Sequence, residues 1–447
     1  MPRNTDAPTA GGTDRAATSA SGTATDDARD VVLVTIDCWR HDAPARMPAL
    51  DALTDGYERR DAVCQAPATR GAFPALLASK YYPQAYTGFD AVDDDVRSLP
   101  AVLSDAGYAT CGIVGSNPFL STWADDFDRF WNDGMDAESD GSELRESVRA
   151  GASTLRHALN YVRLRSRVPA SEVASRAREW YERESGPRFL WMHLMDVHVP
   201  FFPGLRKGVD EGLLDGYRSH LRFMRDPESL SPAEYETLER FYWRSVERLD
   251  EQLSDVLGFL DDDALVVLTG DHGEEFDHGE FGHARPYDEC VRVPLLSSPG
   301  LSASFGDHGV LRHLDVPASI LDAVGCSVPA GWEGSPGREA EPFPAFTLNH
   351  SPQFGRTYGS IRTERHKLFK AFDEDTDAVV ATEAYDLESD PGETRNLYDG
   401  DPPTRVRTLE RQLDEFLSRD DIRGGVHEDP RDAPEVVEDR LQALGYK

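Results

Sequence analysis

VVLVTID, residues 31–37, is a continuous β-branched run that breaks into polar sequence at Asp37. A strand buried on one face alternates apolar and polar residues; an unbroken apolar run reads as a strand buried on both faces of a parallel sheet. The same pattern recurs in ATCGIVG (Ala109 to Gly115), RFLWMHL (Arg188 to Leu194) and ALVVLTG (Ala264 to Gly270). Helical sequence separates these runs. Pro48 to Leu53, Leu99 to Ala106 and the amphipathic Ala170 to Glu184 read as helices. Pro232 to Leu260 reads as one long helix, with Tyr235, Leu238, Tyr242, Val246, Leu249, Leu253 and Val256 at helical spacing. Strands alternating with helices predict an α/β fold, a large mixed or parallel sheet sandwiched by helices.

After about Gly331 the character changes. GWEGSPGREAEPFP reads as a Gly/Pro/Glu linker. Close-set short strands follow (AFTLNH, YGSIRT, HKLFKAF, TEAYDL), then a helix over Thr404 to Ser418. This predicts a small C-terminal α+β subdomain over residues 331–447, after a catalytic α/β domain over 30–330. Residues 1–29 are rich in Thr, Ala, Gly, Ser and Asp, have no apolar periodicity, and read as a disordered tail.

Composition narrows the partners. Asp and Glu number 81 against 47 Lys and Arg, a formal net charge of -34. Such a chain repels nucleic acid and anionic membrane surfaces. Only five lysines occur, so arginine carries most of the positive charge, a pattern that resembles proteins of salt-loving archaea. Folding should therefore depend on screening: unfolding followed in molar and in about 0.1 M potassium chloride should show much lower stability at the lower salt, and equal stability at both would remove this reading. Five cysteines without a C-x-x-C pair argue against a disulfide framework or zinc knuckle, and read as small core residues. No apolar run approaches the ~20 residues of a membrane span. With no apolar leader at the N-terminus, the expected location is the cytoplasm.

In open α/β sheets, functional groups gather beyond the carboxyl ends of the strands. Three of the predicted strands end in residues suited to a metal or to acid–base chemistry: Asp37, the segment HLMDVH (His193 to His198), and Asp271-His272. TGDHGEEFDHGEFGHA, Thr269 to Ala284, is the densest of these, setting a carboxylate beside an imidazole and adding His278 and His283.

These segments, in this order, are similar to those of the sulfatase family in the alkaline phosphatase superfamily. TGDHGEEFDHGEFGHARPYDECVRVPLLSSPG resembles its C-terminal metal-binding segment, VVLVTIDCWRHD its first metal-binding strand, and FLWMHLMDVHVPFFPG its His-x-x-Asp-x-His-x-Pro segment. SIRTERHKLFKAF and AYDLESDPGETRNLYD resemble its C-terminal subdomain, and DRLQALGYK its usual ending. The resemblance implies hydrolysis of a sulfate or related anionic ester. It implies Asp37, Asp271 and His272 as ligands of one divalent metal, calcium, manganese or zinc. It places His198 and His283 on the leaving-group side as catalytic residues and Asn117 near the ester anion; Arg70, beside Thr69, could bind the sulfate or phosphate or could equally be a solvated surface charge, and His193 is a further substrate-binding candidate. The partner it implies is a small anionic ester, sulfated sugars included, with the oligomeric state open. Asp196, His198 and His283 could furnish a second metal site, but their spacing does not match the two-metal phosphodiesterase pattern.

The nucleophile departs from the family. The main type carries Cys-x-Pro-Ser-Arg, or Ser in first place, and its first residue becomes formylglycine. Here the segment is APATRGAFPALLAS (Ala66 to Ser79), with Thr69 at that position, Gly71 for the proline and Phe73 for the arginine. Threonine cannot become formylglycine, but a metal-assisted threonine alkoxide is a sound nucleophile. Thr69 could equally cap the helix that follows. The first metal strand also departs, because Cys38 follows Asp37 where calcium-binding members usually carry a second acid. Two alternatives stay open: a phosphodiesterase, phosphonate hydrolase or phosphoryl transferase of the same architecture using Thr69, and a non-catalytic binding protein retaining the fold.

Overall fold

A computed structural model describes residues 28–88, 91–132, 168–203, 211–226, 229–279, 282–351 and 354–423. The expected tail, apart from its last two residues, and the DRLQALGYK ending lie outside the described residues. Ala28 packs on the core, and the Arg29 carbonyl accepts from the Tyr108 hydroxyl.

The large sheet contains β1 (Val31–Ile36), β2 (Glu58–Val63), β3 (Ala109–Val114), β4 (Arg129–Asn132), β5 (Arg188–Leu194), β6 (Leu265–Gly270), β7 (Arg292–Ser297) and β8 (Val310–Arg312). Its order is β4-β3-β5-β1-β6-β7-β2-β8. The four strands expected from apolar runs are β3, β5, β1 and β6. They are adjacent and mutually parallel. Side chains of β1 alternate between two cores. Val31 and Leu33 join Phe73, Leu76 and Trp191 on one face, while Val32, Val34 and Ile36 join Tyr242, Leu249 and Leu268 on the other. Both faces are covered, which is why the sequence shows no polar alternation.

Register brings the ends of these strands level. Ile36 lies opposite Leu194 of β5 and Gly270 of β6. The next residues stay in line: Asp37 N donates to Leu194 O at 2.9 Å, and Asp271 N to Ile36 O at 3.3 Å. Asp37, Asp271 and the residues following β5 therefore share one edge.

The sequence reading did not include β2, β4, β7 and β8. β2 is ERRDAV, charged and partly exposed over its first four residues. β7 contains Pro294 and pairs antiparallel with both β6 and β2, so the sheet is mixed at this end. The long helix expected over Pro232 to Leu260 is two helices, Pro232–Asp250 and Leu253–Leu257. At the break the side chains leave helical duty. Asp250 accepts from Ala49 N and Leu50 N at the start of the Pro48–Leu53 helix, and Gln252 donates to Asp196 while accepting from Ser171 N.

Beyond the large sheet, β9 (Ala345–Ser351), β10 (Arg356–Arg362), β11 (His366–Asp373) and β12 (Val379–Asp386) form an antiparallel sheet in the order β12-β11-β10-β9. The Thr404–Leu417 helix packs on it, stacking Phe416 on Phe346 with centroids 4.1 Å apart. A buried ionic cluster ties this sheet to the large one. Lys367 Nζ sits 2.7 Å from Asp288 Oδ1 and 2.8 Å from Glu393 Oε1, and Arg362 Nη2 is 2.8 Å from Asp288 Oδ2. The GWEGSPGREAEPFP segment is held by backbone bonds to its neighbours: Glu333 N donates to Ser79 O, Ser335 N to Asp315 and Gly337 N to Ser319.

Candidate functional site

The level strand ends produce a compact cluster. Asp37, fully buried, is its hub. Its Oδ2 accepts from Thr69 Oγ1 at 3.3 Å and from Asn117 Nδ2 at 3.2 Å, and lies 3.4 Å from His193 Nε2. Its Oδ1 lies 3.7 Å from His272 Nε2 and 4.0 Å from His198 Nε2. Asp271 Oδ2 is 3.7 Å from the same His272 nitrogen. One potential ligand atom from each of Asp37, Asp271 and His272 falls within 4.8 Å of the other two.

Local structure fixes each group. Thr69 opens the Thr69–Ala78 helix, but the residue that precedes that helix as its cap is Ala68, and no side-chain cap bond forms. The Thr69 hydroxyl turns instead to Asp37 and to His272 Nε2, 3.4 Å away. His272 Nδ1 faces the Gly273 carbonyl at 2.9 Å, a partner that requires the proton on Nδ1 and leaves an Nε2 lone pair toward the carboxylates. Gly273 allows this turn because a Cβ there would lie 2.0 Å from Glu289 O. His193 Nδ1 pairs with Thr35 Oγ1 at 2.9 Å, and its ring meets Phe73 edge-on. Asn117 Oδ1 accepts from Phe119 N at the start of a 3-10 turn while its amide reaches Asp37.

The electrostatics fit a cation. Burial raises the Asp37 carboxyl, but His198, His193 and His272 outweigh it and hold the group well below the usual carboxylate range. Asp271 moves the other way: burial and the Asp37 charge push it well above. Burial, then His283, depresses His272 to about 3, so its imidazole is neutral. Two neighbouring buried carboxylates pushed in opposite directions, with a neutral imidazole lone pair beside them, form a site that a divalent cation would complete. Among the described residues, Asp271 Oδ2 is buried without a hydrogen-bond partner.

His198 and His283 border this hub, their ring centroids 5.6 Å apart; the His272 and His283 rings are 4.6 Å apart. His198 Nδ1 lies 2.5 Å from Val199 O. Arg70 is placed differently from the rest. Its guanidinium donates to Gly88 O and lies over the Tyr86 ring at 4.5 Å, contacts outside the Asp37 hub. Asp196, considered above for a second metal, accepts from Ala170 N and Gln252 and so anchors the start of the Ala170–Arg183 helix.

Two residues of the cluster were missed. Cys38 Sγ donates to Asp37 Oδ1 at 3.2 Å and lies 3.9 Å from His283 Nδ1; burial, Glu274 and Asp37 push its thiol well above the ordinary value. Glu274, fully buried, holds His283 Nδ1 at 3.2 Å. Arg40 anchors the loop that carries Glu274, donating to its carbonyl and pairing with Glu289 at 2.8 Å and with Asp42 and Asp277.

Comparison with known proteins agrees with this architecture. The family model described as Sulfatase matches residues 26–326. An N-acetylglucosamine-6-O-sulfatase of Bacteroides thetaiotaomicron is 25% identical over 186 residues, which take in 37% of this chain and 32% of that protein, so the chain spans about a third of the relative's length. A solved structure in complex with its substrate D-glucosamine-2-N,6-O-disulfate superposes with a TM-score of 0.63 at 16% identity, covering 90% of this chain and all of the other. The phosphonate monoester hydrolase of Silicibacter pomeroyi superposes with a TM-score of 0.62 at 18% identity, covering 87% and 94%. Among the described residues, no helix is long and apolar enough to cross a membrane.

Proposed function

The chain belongs to the sulfatase family, and from that premise we propose that it is a hydrolase of anionic esters, sulfate esters first, with Thr69 as nucleophile beside one divalent metal. The observation that carries this reading is the position of Thr69 Oγ1, 3.3 Å from Asp37 Oδ2 and 3.4 Å from His272 Nε2. Asp37, Asp271 and His272 would hold the metal, which when bound draws charge from the transferring group and lowers the pKa of a neighbouring hydroxyl. Thr69 supplies the attacking oxygen at a helix start, where free backbone amides favour a developing anion. Its proton has an acceptor in reach, Asp37 Oδ2, the carboxylate oxygen turned away from His272. Asn117 and His193 steady the Asp37 carboxylate that faces the hydroxyl. His198 and His283 are placed to protonate the leaving oxygen, and Glu274 orients His283 by accepting from Nδ1. Sulfated amino sugars are the substrate class the relatives suggest, given the N-acetylglucosamine-6-O-sulfatase and the glucosamine disulfate complex.

A second reading, in which the ester is a phosphodiester or phosphonate, is favoured by Thr69 itself, because a threonine cannot supply the formylglycine of the main sulfatase type. A panel of 4-nitrophenyl sulfate, phosphate, phosphodiester and phosphonate esters decides between them. Hydrolysis of one class is expected, lost after chelation and regained with a divalent metal. No turnover of any of the four by metal-loaded protein would remove the enzyme reading and leave a binding protein.

A further inference from the structure

The ring of ligand atoms does not close on Asp37, Asp271 and His272. Cys38 reaches the same point from the residue next to the hub. One potential ligand atom from each of Asp37, Cys38 and His198 falls within 4.8 Å of the others, and the same holds for Cys38, His272 and His283. We propose that the Cys38 sulfur is a ligand of the metal held by Asp37, Asp271 and His272, and that it makes this a zinc-type centre rather than a calcium centre. The inference rests on the metal site of the proposed function and adds to it a fourth protein ligand and a metal preference.

Geometry supports it. Ligands bound at ~2.0–2.3 Å at tetrahedral angles stand about 3.3–3.8 Å apart, and zinc can expand to a fifth position for the reacting oxygen. The separations among the proposed ligands run from 3.2 Å (Cys38 Sγ to Asp37 Oδ1) to 3.7 Å (His272 Nε2 to both carboxylates). The backbone aims the sulfur. Cys38 adopts φ +57°, a left-handed conformation that side chains other than glycine seldom take. Bonds at both ends hold that turn: Cys38 N donates to Asp271 Oδ1, and Cys38 O accepts from the Tyr242 hydroxyl at 2.8 Å. Among the described residues, two carboxylate oxygens around the sulfur, Asp271 Oδ2 and Glu274 Oε2, are buried without a hydrogen-bond partner. Both residues are completely buried, so the site gathers uncompensated oxygens as well as sulfur.

Chemistry sets the preference. Thiolate with imidazole selects zinc and other soft or borderline ions, whereas calcium takes six to eight hard oxygen donors. Binding forms a sulfur–metal bond, and the thiol proton leaves to solvent; nothing is oxidised or reduced.

The test uses the full chain, stripped by chelation in molar potassium chloride and titrated with cadmium while ultraviolet sulfur-to-metal charge transfer is followed. One equivalent of band is expected in the parent and in Cys326→Ser, and none in Cys38→Ser. Zinc should abolish the band by displacement, and Cys38→Ser should lose roughly tenfold or more of its zinc affinity. X-ray absorption of the zinc-loaded parent, which needs no variant to fold, should show a sulfur scatterer at about 2.3 Å. Zinc or manganese binding with no sulfur scatterer and no band would overturn the Cys38 ligand while leaving the Asp37–Asp271–His272 site standing, as would an undiminished band in Cys38→Ser. Failure of the parent to bind zinc, manganese or calcium would overturn both.

Discussion

Thr69→Ala should lower turnover by roughly three orders of magnitude or more, on whichever ester the parent hydrolyses, while the fold survives. A capping role would give the opposite pattern, costing about 1 kcal/mol of stability with catalysis spared. The structure removes the basis for that alternative, since no side chain caps the Thr69–Ala78 helix and the hydroxyl bonds to Asp37 instead. Asp37 retains Asn117 and the surrounding imidazoles in the variant, so the thermal midpoint should shift little. Thr69→Ser keeps the attacking oxygen and should retain far more activity than alanine. Near-parental turnover by Thr69→Ala would leave direct attack by water as the surviving mechanism.

The largest stability effect should come from far outside the site. Lys367 is fully buried between Asp288 and Glu393, in a cluster that also contains Arg362. Lys367→Met removes one cation and strands the buried Glu393 carboxylate, while Asp288 keeps Arg362, a change that costs about 3–5 kcal/mol when a buried pair is broken. Denaturant unfolding in molar salt measures it. Arg411→Met, which breaks an exposed pair with Glu415, serves as control and should stay within about 0.5 kcal/mol of the parent. A loss of similar size in both would mean that the cluster is not special. The cluster also sets a direction with pH. Burial raises the Asp288 carboxyl, but Lys367 and Arg362 reverse this and hold it well below its ordinary value. The stability that Asp288 contributes is therefore present above about pH 4, the unfolded value, and is lost as pH falls below it toward the lowered folded value.

The central strands were legible because burial on both faces leaves one unambiguous pattern, and Val31–Ile36 packs into two cores at once. ERRDAV was not legible as β2, since its first four residues are only partly covered and the partner that makes it a strand, β7, is far away in sequence (Val63 pairs with Arg292, Glu58 with Ser297) and meets it only through folding. The helix break after Asp250 was hidden for a similar reason. Its cause is what Asp250 and Gln252 bond to, the starts of two other helices, and no periodicity records that. At the site, Asp37, Asp271, His272, Thr69 and Asn117 were found through strand ends and the family resemblance, and the fold gathers them. Cys38 was noted only as standing where a second acid is usual, and not as a ligand; the turn at φ +57° is what aims its buried sulfur at the hub. Glu274 was one acid among 81, indistinguishable on paper from the other acids of its segment until its burial beside His283 is seen.

The level register of β1, β5 and β6 has a consequence for how such a site can change over generations. Successive side chains of a strand point to opposite faces, so deleting one residue within Val31–Ile36 would either move Asp37 one step back from the edge or reverse every inward and outward side chain behind it. Either outcome breaks the two cores and the hub together. Lengthening a connecting loop does neither. Variation in such a chain is thus channelled: insertions can accumulate between the strands and reshape what surrounds the pocket, while the hub itself can change only by exchange of one side chain for another.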